Sequence, residues 1–193
     1  MKAVIAAIAL SFVLAACLSE GSSPAPAPVA SAPPRVAAGG GLFPDLGEFR
    51  PLITQSGGCV TDQEIVAEQF ISLRTSMMVT GLTCRSAFQS EGDVFGTYQQ
   101  FTVDNAQRLR ETQNLIGRYL ARYQPGNSNR LFDTYQTSLA NDEALLVTEV
   151  SAARYCQAQR EIFYRLAEAT PDELEAILSQ AVERNRDAYL ICS

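Results

Sequence analysis

Histidine and tryptophan are absent from this sequence of 193 residues, and its only lysine is Lys2. Without histidine, the chain has neither a Ser-His-Asp nor a Cys-His mechanism, and it cannot form a histidine-ligated zinc site or attach haem through a CxxCH motif. Because no lysine follows residue 2, the P-loop lysine, Schiff-base chemistry and the Ser-Lys dyad are excluded as well. These absences predict a protein that is not an enzyme and that holds no cofactor and no metal.

The charge balance is acidic. Of the 15 basic residues one is Lys2, so 14 arginines stand against 21 acidic residues in the rest of the chain. Such a chain is a poor partner for nucleic acid or for an anionic bilayer surface, and we expect no nucleic-acid partner. The composition, 47% hydrophobic and 19% charged, is typical of a globular protein, and the length suits one domain with its own core.

The first 16 residues have the organisation of an export signal. Lys2 supplies a positive charge, and the stretch 3–16 is apolar apart from Ser11. A run of this length is typical of a signal-peptide core and is too short for a membrane-spanning helix. The sequence therefore predicts export, with residues 1–16 as the signal peptide.

The signal ends in Leu14-Ala15-Ala16-Cys17, which resembles the bacterial lipobox. The resemblance implies a lipoprotein precursor: Cys17 receives diacylglycerol and becomes the N-terminus, and its lipid, palmitate among the acyl chains, tethers the chain to a membrane. In that class Asp after the cysteine indicates inner-membrane retention. Leu18 therefore favours the outer membrane, with the domain facing the periplasm and the inner membrane as the alternative. The competing interpretation is ordinary secretory cleavage near Ala15 or Ala16, which leaves Cys17 a free thiol.

Residues 17–41 form a predicted linker. After Cys17 they are mostly Ser, Pro, Ala, Gly and Val, with the run Pro24-Ala-Pro-Ala-Pro28 and three consecutive glycines at 39–41. Proline-rich segments favour extended polyproline II structure, and a segment with so few large apolar side chains buries too little surface to fold. We expect a disordered spacer in front of a folded domain that spans residues 42–193.

The domain is predicted to be all-α. Residues 43–53, interrupted by two prolines, are expected to form an irregular strap on the core. Capping boxes at Thr61-Glu64 and Thr170-Glu173 mark two helix starts, and apolar positions recur at helical spacing between them. Four long helices are expected, from Thr61 to about Leu82, from Asp93 to Pro125, from about Ser128 to Ala167 with a break or kink at Asn141-Asp142, and from Thr170 to about Ile191. Short connections favour an antiparallel up-down bundle.

Four cysteines remain after Cys17, and in an exported domain they predict two disulfides. Cys59 and Cys84 flank the first helix, and a helix that spans the 25 residues from 59 to 84 holds them much too far apart for a bond. In an up-down bundle Cys59 and Cys192 share one end, while Cys84 and Cys156 lie towards the other. The expected disulfides are therefore Cys59–Cys192 and Cys84–Cys156, with the crossed pairing as the alternative.

Two sets of side chains are candidate binding residues. Tyrosines at helical spacing either line a pocket or belong to the core, and these are Tyr98, Tyr119, Tyr123, Tyr135 and Tyr164. The second set is a basic cluster that either grips an anionic group or forms a solvated face, and it consists of Arg108, Arg110, Arg118 and Arg122. The stretch 131–141 also resembles a segment of uncharacterised exported helical proteins of alphaproteobacteria, a likeness that implies no activity.

Three functions compete at this point. The first is a non-enzymatic envelope lipoprotein that binds or scaffolds a protein partner. The second is a carrier of a hydrophobic ligand, for which a cavity lined by the tyrosines and by Met77 and Met78 is the expected sign. The third is a cell-wall glycan hydrolase of the lytic-transglycosylase type, which needs no histidine but is expected to show a Glu-Ser pair. The chain has the reverse order at Ser90-Glu91, so the first function is favoured.

Overall fold

The structure is a computed structural model that describes residues 57–192. The expected signal peptide (1–16), the linker (17–41) and the strap (43–53) lie outside the described residues. Within them the chain is all-α. The helices are α1 (Asp62–Thr83), α2 (Val94–Asp104), α3 (Ala106–Tyr123), α4 (Ser128–Val150), α5 (Ala152–Ala167) and α6 (Pro171–Asn185), with 3-10 turns at Gln89–Glu91 and Arg186–Ala188. None of these described helices is both long and apolar enough to cross a membrane.

Helix α1 is the centre of the domain. It contacts each of the other five helices, and 14 of its 22 residues are buried. It connects two apolar clusters, one around Phe70 and Met77 with α2, α5 and α6, and one around Ile65 and Ile71 with α3 and α4. Helices that are buried all round occupy the core of a protein and do not show a single apolar stripe. The apolar positions that recur at helical spacing are therefore only part of the buried surface of α1.

Both expected capping boxes are present. The Thr61 hydroxyl accepts a hydrogen bond from the Glu64 amide, and the Glu64 carboxylate accepts one from the Thr61 amide at 2.9 Å. Thr170 and Glu173 form the same reciprocal pair at the start of α6, with proline in the first turn. Each box satisfies amide groups that have no partner within the helix.

The described residues form six helices where four were expected, because two of the expected helices are interrupted. The second expected helix is divided at Asn105, whose side-chain amide donates to the Phe101 carbonyl at 2.9 Å and ends α2. The third is interrupted at Ser151 and not at Asn141-Asp142. The last helix ends at Asn185, before the expected Ile191, and continues as a 3-10 turn.

The central helix also runs parallel to a neighbour. The Tyr135 hydroxyl donates to Glu68, and the Ser76 hydroxyl donates to Glu143, so moving eight residues along α1 corresponds to moving eight residues along α4. Two helices paired at a constant offset of 67 residues point in the same direction. The described domain is therefore a set of helices around α1, which directly contacts a parallel α4, and the expected antiparallel four-helix bundle is not confirmed.

Candidate functional site

The two disulfides lie at different depths. Cys59 is bonded to Cys192 and Cys84 to Cys156, with Cα–Cα distances of 5.0 and 5.5 Å, and these are the pairs expected from the sequence. Cys84 and Cys156 are buried, whereas Cys59 and Cys192 are half-buried. The inner bond attaches the start of α5 to the end of α1. The outer bond joins the two ends of the described domain, and Cys17, the expected lipid site, lies outside the described residues.

A short terminal clasp surrounds the outer disulfide. The Val60 amide donates to the Leu190 carbonyl at 2.8 Å, and the Cys192 amide donates to the Val60 carbonyl at 2.9 Å. The Tyr123 hydroxyl donates to the Cys59 carbonyl at 3.1 Å from the end of α3. These contacts hold Cys59 and Val60 beside the C-terminal segment and the end of α3.

A buried carboxylate lies at the middle of the domain. Glu68 is fully buried, and its two oxygens accept hydrogen bonds from the Tyr135 hydroxyl at 2.9 Å and the Tyr189 hydroxyl at 2.5 Å. Gln69 donates to the Tyr189 oxygen at 3.1 Å and accepts from Asn185 at 3.3 Å. The network connects α1 to α4, to α6 and to the C-terminal segment. Its hydrogen bonds compensate the desolvation of polar groups that would otherwise destabilise the core.

The same network raises the pKa of two tyrosines. Burial is the main cause for both Tyr135 and Tyr189, and the neighbouring Glu68 carboxylate adds to it, because a phenolate beside an anion and away from water is unfavourable. A third tyrosine behaves alike: burial and then the charge of Glu143 raise the pKa of Tyr155. All three hydroxyls remain donors to a protein acceptor throughout the neutral range.

Two further carboxylates hold helices together. Glu64 is almost fully buried and accepts from Arg122 of α3 at 2.7 Å, and this hydrogen bond is the main reason that the pKa of Arg122 is raised. Glu143 of α4 accepts from Tyr155 of α5 at 2.5 Å and from Ser76 of α1 at 2.8 Å. Both groups therefore connect separate helices inside the domain.

The four candidate arginines do not form one site. Arg108 is paired with Glu175 of α6 at 2.9 Å, and Arg122 is paired with the carboxylate at the start of α1. Arg110 and Arg118 are exposed and form no ion pair with any described residue. The structure thus divides the set into two interhelical contacts and two solvent-facing charges.

The candidate tyrosines and methionines are mainly core residues. Tyr98, Tyr119, Tyr135 and Met77 are buried, whereas the other three are partly exposed, and these are Tyr123, Tyr164 and Met78. A crevice between α1 and α5 includes Met77 but has no room for a water molecule. The tyrosine at 135 uses its hydroxyl on the central carboxylate, so it belongs to the core network and does not line an open pocket.

The most weakly buried long element is α4. Only Phe132 and Tyr135 of its 23 residues are buried, and the Leu145 side chain is 56% exposed. The helix ends at Ser151, whose backbone has φ 76° and ψ 146°, and α5 begins at the next residue. Non-glycine residues rarely adopt this conformation, which costs on the order of 1–3 kcal/mol. An exposed apolar side chain and a strained turn thus occur in the same part of the chain.

Sequence reasoning did not identify Glu68, Glu143 or Ser151. Glu68 lies off the apolar positions of α1, and the tyrosines that bind it are more than 60 residues away in the sequence. Glu143 lies next to the expected kink at Asn141-Asp142, and no neighbouring residue indicates its interhelical contacts. Ser151 lies in a run without glycine or proline, so the sequence around it does not predict a bend. One sequence feature could have indicated the buried network. Glu68 and Gln69 are two consecutive polar residues between the apolar residues Val66 and Phe70 of α1.

Among residues 57–192 no three His, Cys, Asp or Glu side chains are grouped so as to hold a metal ion. Comparison of the chain with family models, with curated proteins and with solved structures finds no match. The candidate functional features therefore rest on the residues themselves: Cys17, the terminal clasp and the exposed part of α4 with the bend that follows it.

Proposed function

We propose that this chain is a bacterial envelope lipoprotein that is anchored through lipid on Cys17 and that binds or scaffolds another envelope protein without catalysing a reaction. Its domain faces the periplasm from the outer membrane, at the end of the 17–41 linker. The observation that carries this proposal is the lipobox at residues 14–17, directly after an apolar signal core.

The disulfides support export. Bonds of this kind persist in oxidising compartments such as the periplasm and are rare in the cytosol. All four cysteines of the described domain are paired, and the inner pair, Cys84 and Cys156, is buried. Two disulfides in one domain are consistent with a protein that folds after translocation and then remains outside the cytoplasm.

The side chains support a binding role over the two alternatives. For a hydrolase of the lytic-transglycosylase type a Glu-Ser pair is expected, yet the chain has Ser90-Glu91 in the reverse order, and Glu91 is paired with Arg160 at 2.6 Å. For a ligand carrier, the core tyrosines would line a cavity, yet the hydroxyl of Tyr135 is bound to the central carboxylate. What the domain presents to solvent is a set of helix faces, including the exposed Leu145.

The anchor is tested by cell fractionation. Wild-type chain should sediment with membranes and incorporate radiolabelled palmitate, whereas Cys17→Ser should do neither while the domain remains folded. Leu18→Asp is a matched variant that keeps the cysteine and should move the protein to the inner-membrane fraction. A wild-type chain that stays soluble and unlabelled contradicts the proposal.

The binding role is tested with a photo-crosslinking residue placed at one of two exposed positions. Position 145 is apolar and exposed on α4, whereas Arg110 is an exposed charged position on α3 and serves as the control. Irradiated cells should yield one adduct with an envelope protein from position 145 and none from position 110, identified by mass spectrometry. No adduct at position 145, or an adduct only with a second copy of the chain, contradicts the proposal of a different protein partner.

A further inference from the structure

The junction between α4 and α5 is a single strained residue. Ser151 is exposed, has φ 76° and ψ 146°, and is the only non-glycine residue with positive φ in the described part of the chain. Its side chain makes no capping hydrogen bond to α5. The conformation is one that almost only glycine adopts without strain. The turn is therefore made by a residue that does not favour this backbone conformation, and no capping hydrogen bond of its side chain offsets the strain.

The local sequence is compatible with a continuous helix here. Residues 128–170 contain neither glycine nor proline, and around the junction they read Leu145-Leu-Val-Thr-Glu-Val-Ser-Ala-Ala-Arg-Tyr155. Leucine, alanine, arginine and glutamate are good helix formers. Helices usually end at glycine, proline or a capping side chain; Ser151 is of a type that often caps a helix, but its side chain makes no capping hydrogen bond here.

Tertiary contacts hold the bend closed. The Tyr155 hydroxyl of α5 donates to Glu143 of α4 at 2.5 Å and lies 3.2 Å from the Thr80 hydroxyl of α1. One residue further on, Cys156 is bonded to Cys84 at the end of α1. In a straight helix Glu143 and Tyr155 would be three turns apart and out of contact. The bend therefore exists because α5 has to reach its place on α1.

We propose that Ser151 is a hinge through which two copies of this chain exchange their C-terminal parts, residues 152–192, to form an intertwined dimer. In the dimer α4 and α5 join into one helix from Ser128 to Ala167, and α5 and α6 of each copy occupy the vacant place on α1 of the other. The contacts between the two parts, such as Glu143–Tyr155 and Glu68–Tyr189, re-form between copies. Only the junction differs, and there a strained residue becomes helical. Short, strained connections are known to favour such exchange.

The disulfides make the exchange permanent. Cys59–Cys192 and Cys84–Cys156 each join a residue before the hinge to a residue after it. In the dimer, Cys59 and Cys84 of each copy bond to Cys192 and Cys156 of the other copy. The dimer therefore contains four disulfides, the same number as two monomers. Each bond forms when two thiols lose two protons and two electrons to an external disulfide oxidant, which is reduced to two thiols. Exchange therefore takes place during folding, before the bonds close. It does not depend on the lipid anchor.

The experiment uses the mature chain with Cys17→Ser, prepared in light and in nitrogen-15 form. The two forms are mixed, reduced, unfolded and refolded in a glutathione redox buffer at low and at high chain concentration. At high concentration we expect a dimer that survives denaturation without reductant and separates into monomers with reductant. Peptides linked through Cys84 and Cys156 should carry mixed light and heavy labels in the dimer and unmixed labels in the monomer.

Three variants isolate the role of the hinge. Ser151→Gly relieves the strain in the bent form and should lower the dimer-to-monomer ratio by roughly tenfold or more, because two hinges contribute to each dimer. Ser151→Ala keeps the strain, favours the helix and should raise the ratio. Thr148→Gly, on the exposed side of α4, weakens the helix without touching the bend and should change the ratio much less than Ser151→Gly.

Three results would overturn the proposal. One is a chain that refolds only to monomer at every concentration, with Ser151→Ala as with wild type. Another is a dimer whose Cys84–Cys156 peptides are all unmixed, since that dimer associates without exchange. The third is an equal dimer-to-monomer ratio in Ser151→Gly and Ser151→Ala, since the bend then has no influence.

Discussion

Removing each disulfide separately should destabilise the domain by different amounts. The variants are Cys59→Ser/Cys192→Ser and Cys84→Ser/Cys156→Ser, both in a Cys17→Ser background. The bonds span 133 and 72 residues. In the chain-entropy model, loops of those lengths correspond to about 5 and about 4 kcal/mol of lost stability, respectively. Loop length alone therefore predicts that the outer disulfide matters slightly more.

Burial reverses this order. The sulfurs of the outer bond lie in half-buried residues, so the serine hydroxyls that replace them can reach water. Cys84 is 0% and Cys156 3% exposed, and a hydroxyl left there without a partner costs about 1–3 kcal/mol more. Loss of the inner bond should thus cost about 5–7 kcal/mol, which is comparable with the whole stability of many domains.

The assay is equilibrium unfolding in urea, followed by far-UV circular dichroism, for wild type and both double variants. Cys84→Ala/Cys156→Ala is the control, because it removes the inner bond without adding a buried hydroxyl, and it should lose about 4 kcal/mol, less than either serine variant. The reasoning is refuted if the outer-bond variant is the less stable of the two serine variants, or if either variant loses less than about 1 kcal/mol.

Three further outcomes are expected. The pKa values of Tyr135, Tyr155 and Tyr189 are raised, so these groups ionise at lower pH in the unfolded chain than in the folded one. The free energy of unfolding should therefore be constant below about pH 10 and fall above it by about 1.4 kcal/mol per pH unit for each tyrosine. In urea unfolding at several pH values, Tyr155→Phe should reduce this slope by the contribution of one tyrosine. Thr170→Ala removes the α6 capping box and should lower the unfolding free energy by about 1 kcal/mol, whereas a change below a few tenths would show that the box adds nothing. A chain that begins at Gly41 should match the full mature chain in melting temperature, and a clearly lower value would show that the linker packs on the domain.

Helix starts and helix content could be predicted because they depend on neighbouring residues. The capping boxes at Thr61 and Thr170 require only four residues each, and both are present. The disulfide pairs could also be predicted, because a long helix keeps Cys59 and Cys84 apart and leaves two pairings, of which the helix order favours one.

The breaks and the buried polar groups could not be predicted, because their causes are distant in sequence. Asn105 lies in a run that is otherwise compatible with one helix, and Ser151 bends only because α5 is held on α1. The environment of Glu68 depends on Tyr135 and Tyr189, which are brought to it from 67 and 121 residues away. Tertiary structure overrides the local preference at all three positions.

The lipid anchor is the central claim, and mass spectrometry of the mature N-terminus tests it most directly. The protein is extracted from membranes with detergent, digested, and its N-terminal peptide is sequenced. We expect the chain to begin at Cys17 and its sulfur to carry diacylglycerol, with a mass increase that is lost in Cys17→Ser. A mature chain whose residue 17 is an unmodified cysteine thiol would contradict the account.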